Sequence, residues 1–153
     1  MVDCKQALHK LLEEYPDYGP AHRLLAKLYH YELKDLSQAE RHYMLSLNYE
    51  SDRPFIYWRY LELLMSGNRF DEAERLLQRM EAVKSMNRTE LIYRRGIILE
   101  SRGKLSEAMA LYRQAFTTSI TDDEGGLYLK AIWRIRSKQI EKHPLRLFMR
   151  WRK

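Results

Sequence analysis

Five histidines, one cysteine and 21 carboxylates are the side chains of this chain that could ligate a metal or move a proton. The histidines are His9, His22, His30, His42 and His143. None stands in the His-Glu-x-x-His spacing that puts two imidazoles on one helix face, and none lies in a catalytic signature. Cys4 is alone, which excludes a disulfide framework and a multi-cysteine zinc site. No histidine pattern surrounds it to make it a nucleophile. Glu72, Glu74 and Glu81 recur at helical spacing and read as a solvated face. Gly125-Gly126 follows Asp122, Asp123 and Glu124, three charges that would repel a phosphate, so it is no phosphate-binding loop. These residues predict a chain with no metal, no cofactor and no catalytic group, hence not an enzyme.

The elements that must carry these side chains are helical. The chain has 153 residues, 45% hydrophobic and 31% charged, with six glycines and four prolines. That length supports one domain with a core of its own. Leu, Glu, Arg, Lys, Met and Ala favour helix throughout. No window is apolar for the roughly 18 residues a membrane span needs. The first twenty residues are too charged for a signal peptide, which predicts a cytoplasmic protein. The net charge of +6 is unevenly placed: residues 130–153 carry +8 and residues 1–129 carry −2.

An internal repeat organises the chain. Leu36-Ser37-Gln38-Ala39-Glu40, Phe70-Asp71-Glu72-Ala73-Glu74 and Leu105-Ser106-Glu107-Ala108-Met109 align, with their alanines 34 and 35 residues apart. Ala26, Leu61, Gly96 and Ala131 recur upstream at intervals of 35. Leu24, Leu25, Leu28 and Tyr57, Tyr60, Leu61, Leu64 have the spacing of first helices. Ala39, Tyr43, Leu47 and Ala73, Leu77, Met80 have that of second helices. Ser37 with Glu40, and Asp71 with Glu74, predict capping boxes. Gly67 and Gly103 predict the turns between paired helices. A short alanine lets two helix backbones approach closely.

This pattern resembles the tetratricopeptide repeat, a helix–turn–helix unit of 34 residues, over about residues 3 to 141. Gly96, Leu99, Gly103, Ala108, Tyr112 and Ala115 carry the resemblance best. The second unit departs with Leu61 at a small-residue position. The first has one extra residue between Tyr29 and Ala39 and no turn glycine. The resemblance implies an all-α, right-handed solenoid of antiparallel helix pairs, about three units with flanking helices. The helix of residues 3–14 reads as the second helix of an earlier unit, so either the chain is a piece of a longer array, the slightly favoured expectation, or this helix is an N-terminal cap. Residues 1–141 form the repeat domain, and 142–153 a basic-aromatic tail.

In this family the first helix of each unit lines a concave groove. The resemblance therefore implies a partner-binding set of Arg23, Lys27, Tyr31, Phe55, Trp58, Glu62, Met65, Tyr93, Ile97 and Tyr128. His30, Glu90, Glu100, Ile132 and Arg136 lie alongside. Trp58 and Tyr93 are the expected anchors, because rigid aromatics bury much area at small entropic cost. A one-residue register shift would exchange Trp58 with Tyr57 or Tyr60. Arg59 and Arg94 fall near the family's clamp for a C-terminal carboxylate. Lys27 and Arg59 replace its asparagines, however, and Glu90 replaces a lysine, so that clamp is not expected. In the tail, Arg146, Arg150, Trp151 and Arg152 follow Lys130, Trp133, Arg134 and Arg136. They fit a solvated cap, an acidic partner, or nucleic acid or an anionic membrane surface. The expected function is a non-catalytic adaptor or scaffold gripping a peptide or helix of another protein. The alternatives are a small bacterial secretion chaperone and the effector-binding part of a transcription regulator.

Overall fold

A computed structural model describes residues 2–119 and 122–142. His143 and the tail residues Arg146, Arg150, Trp151 and Arg152 lie outside the described residues. Eight α-helices and no strand occur among those described. They are α1 (Val2–Glu14), α2 (Gly19–Lys27), α3 (Leu36–Tyr49), α4 (Pro54–Ser66), α5 (Phe70–Glu81), α6 (Arg88–Ser101), α7 (Leu105–Thr118) and α8 (Asp122–Lys142). A π-helical turn, Leu28–Leu33, continues α2. The helices fall into two compact units divided after Met86. The all-α class and its paired helices agree with the repeat.

The first unit holds α1 to α5. Its pairs are α2 with α3 and α4 with α5, and α1 packs on α2. Ala39 and Ala73 are fully buried where the paired helices meet. Pro54 opens α4, where its missing N–H is no loss. The extra residue of the first pair is absorbed by the π turn, which lodges one more residue per turn than an α-helix. The closing hydrogen bonds show this. Arg69 N donates to Leu64 O and Lys104 N to Leu99 O, five residues back in each case. Asp35 N reaches six back, to Tyr29 O at 3.0 Å.

The second unit holds α6, α7 and α8. Tyr93, Tyr112 and Tyr128 form its aromatic centre, with ring centroids 5.4 and 5.0 Å apart. Ala108, Ala115, Ala131 and Ile135 complete the core. Gly96 is the tightest point. A Cβ there would stand 2.5 Å from Cε1 of Tyr112, so α6 needs glycine to pass the ring.

The turn and cap expectations need correction. The left-handed residue of each turn is Lys34, Asn68 or Gly103, with φ of 57°, 56° and 75°. Gly67 therefore sits one residue ahead of the position that needs positive φ; Asn, which tolerates it, takes that place. Ser37 and Asp71 lie inside their helices rather than at the caps. Asp35 caps α3 by accepting from Gln38 N, and Asn87 caps α6 by accepting from Glu90 N. Glu40 reaches across to Arg69 and accepts from Tyr60 Oη at 2.8 Å. Arg69 also donates to Glu72, so one guanidinium ties α3 to the start of α5. Its bonds hold the Glu40 carboxyl below the usual carboxylate range.

Candidate functional site

In the first unit, one face of α4 turns away from the core. Ile56, Tyr57, Tyr60, Leu61, Leu63 and Leu64 are buried. Phe55, Arg59 and Glu62, at steps of four and three, form the opposite stripe. Phe55 is 50% exposed. The register therefore leaves Tyr57 and Tyr60 in the core and Trp58 on the flank, half-buried. Met65 is half-buried on the same flank.

Tyr31, carried on the π turn, meets this stripe. Its hydroxyl donates to Glu62 Oε2 at 2.9 Å and accepts from Arg59 Nη1 at 3.1 Å. Arg59 also donates to Glu62 at 3.0 Å. The guanidinium lies over two rings, 5.4 Å from the centroid of Tyr31 and 5.1 Å from that of Phe55. Burial would raise the Glu62 carboxyl, but the bonds from Tyr31 and Arg59 outweigh it and hold the pKa below the ordinary value. Arg23 and Lys27 precede Tyr31 at steps of four on α2. Neither makes an ion pair among the described residues. The result is a pre-ordered aromatic and guanidinium surface with two unpaired cations along one edge. Arg59, expected only as a replaced clamp residue, is its centre.

The second unit gives a different result. Tyr93 is 7% exposed and Tyr128 1% exposed. Both belong to the core of that unit, as does Ile132. Their rings are spent on Tyr112 and on each other, so neither can anchor a partner, and the expected Trp58–Tyr93 pair is not a pair of surface anchors. Ile97 is half-buried and packs against the same core. Glu90 accepts from Arg94 at 2.7 Å. Glu100 accepts from Tyr112 at 2.8 Å, Arg134 at 2.7 Å and Lys138 at 2.7 Å. Arg134, then Lys138 and Tyr112, hold its pKa down to about 2. Glu100 thus fastens α8 to α6.

Three histidines, His22, His30 and His42, are buried. His22 Nε2–H donates to Pro16 O at 2.9 Å. With that tautomer, assigned from the bond, His22 Nδ1 accepts from Nδ1–H of His42 at 3.0 Å. His9 stands edge-on to His42, with centroids 6.2 Å apart. His30 is bonded to Tyr43 Oη at 3.1 Å. Among the described residues no three His, Cys, Asp or Glu side chains are grouped to hold a metal ion. No described helix is long and apolar enough to cross a membrane.

No protein-family model matches the sequence, and no curated protein does. Solved structures do. The crystal structure of MamA matches with a TM-score of 0.63 at 16% identity, over 90% of this chain and 89% of that one. A second MamA structure gives 0.63 at 17%, over 92% and 81%. An Arabidopsis OM64 TPR domain gives 0.60 at 18%, over 78% and 95%. At such identities the likeness speaks for the fold, and the fold is that of a tetratricopeptide-like helical repeat.

Proposed function

We propose that this chain is a non-catalytic protein-interaction module whose first unit receives a peptide or helix of another protein. The receiving surface is the stripe of Phe55, Arg59 and Glu62 with Tyr31, flanked by Trp58 and Met65 and edged by Arg23 and Lys27. The observation that carries this reading is the Tyr31–Arg59–Glu62 network. It joins the first helices of two successive pairs and holds an exposed phenylalanine beneath a guanidinium. Rigid aromatics and Arg are what binding hot spots use, and ordering them beforehand removes part of the entropic cost of association. The structural likeness to MamA and to the OM64 TPR domain fits the same reading.

The test is affinity capture from the source cells by wild type and by a Phe55→Ala/Arg59→Ala variant with an unchanged thermal melt. The proposal expects a partner held by wild type and lost by the variant. A partner held equally by both would refute it.

A further inference from the structure

We infer that α8 carries a second docking face, which takes an acidic amphipathic helix of a partner protein. One side of α8 is committed to the core through Tyr128, Ala131, Ile132 and Ile135. A different side, exposed among the described residues, carries Leu129, Trp133, Arg136 and Ile140. Their steps of four, three and four make one continuous stripe, the spacing with which helices seat against helices. Leu129 is 39% exposed, Trp133 63% and Ile140 45%. Phe116 of α7, 39% exposed, extends the patch: its ring lies 3.5 Å from where a Cβ of Gly125 would be, one turn before Leu129. Exposed large apolar side chains that adjoin in this way mark an interaction surface.

Charge selects the occupant. From Gly125 to Ile140 the helix has four cations and no acid. Arg134 and Lys138 share the single charge of Glu100 on the flank facing α6. Lys130 and Arg136 have no ion pair among the described residues. Arg136 lies over the Trp133 ring at 5.6 Å, inside the stripe. Among the described residues its planar donor fork has no carboxylate partner, and it can grip one with two parallel bonds. A second copy of the chain would bring like charges together along this face. A membrane would be offered only a narrow strip, since the broad apolar side of α8 is already in the core. A helix with an apolar seam and carboxylates on its flanks satisfies both the spacing and the charge.

The experiment uses the full chain and a labelled synthetic helix of about three heptads, with a leucine seam and Glu flanks. Its Glu→Gln counterpart, phosphatidylserine vesicles and sedimentation of the protein alone are the other arms. The acidic helix is expected to bind. Trp133→Ala and Arg136→Glu, both at exposed positions outside the core, should each weaken it about tenfold or more with unchanged melts. Phe55→Ala/Arg59→Ala should leave it unaffected, which separates this face from the one on the first unit. No binding, equal binding of the Gln helix, or indifference to both α8 variants would overturn the inference. So would vesicle binding through Trp133 in place of the helix, or a dimer that Trp133→Ala abolishes.

Discussion

His42 lies in a setting that offers a second proton nothing. Burial, then His22, His9 and Arg41, push its pKa down to about 4. Lys5 stands over the Tyr29 ring that stacks on it. No carboxylate compensates among these neighbours. Unfolded, the imidazole titrates at about 6.5. The folded pKa is thus the lower one, so His42 favours folding fully above about pH 6.5 and loses that effect as pH falls toward 4. The gap corresponds to roughly 3 kcal/mol. Chemical denaturation at pH 7 and near pH 4.5 should show that loss, and His42→Gln should flatten it. Glu100 acts in a separate window. Its folded pKa of about 2 lies below the ordinary carboxylate value, so its contribution persists above about pH 4.3 and fades only in stronger acid. Glu100→Gln should lower stability by about 1–2 kcal/mol, since Arg134 and Lys138 are half-exposed and return to water. The bonds of Glu100 to Arg134 and Lys138 and the His22–His42 bond join residues 20 or more positions apart, and no local pattern in the sequence announces them.

At the scale of the element, periodicity did announce much. Ala39, Ala73 and Ala108 are buried because each sits where two helices must nearly touch, and the spacing of small residues encodes that directly. The one-residue insertion before Ala39 was visible too, but its outcome, a π turn, depends on how Tyr29 and His30 pack and could not be read from spacing. The cap expectations miss by two residues, since Ser37 and Asp71 satisfy the capping pattern while Asp35 and Arg69 hold the positions that need it. Gly96 and Gly126 make a paired test of the close approach. Gly96→Ala drives a Cβ into Tyr112 and should cost about 1–3 kcal/mol. Gly126, in α8, has nothing within 4 Å of a Cβ, and Gly126→Ala should be neutral or stabilise by up to about 1 kcal/mol. Thermal melts of the two variants decide it. A harmless Gly96→Ala would mean that α6 and α7 do not meet as described.

For the molecule as a whole, the fold was legible and the site only in part. Repeat spacing, helix propensity and small residues act together over the full chain, whereas exposure of a single residue depends on a register that shifts by 100° per position. Phe55 is exposed and Trp58 half-buried, while Tyr93 and Tyr128 turn inward to build the second unit's core. The uneven charge, −2 over residues 1–129 and +8 over residues 130–153, gives the two proposed faces different salt responses. Contacts to α8 should weaken with salt, since exposed charges are screened beyond about 8 Å at physiological ionic strength. Apolar burial on Phe55 should respond little. The most direct measurement places a photo-cross-linking amino acid at position 55, and at position 44 on the exposed part of α3 as the control, in cells that make the protein. A defined protein adduct from position 55 and none from position 44 is what the interaction-module account predicts. Equal adducts at the two positions, or adducts only at position 44, would contradict it.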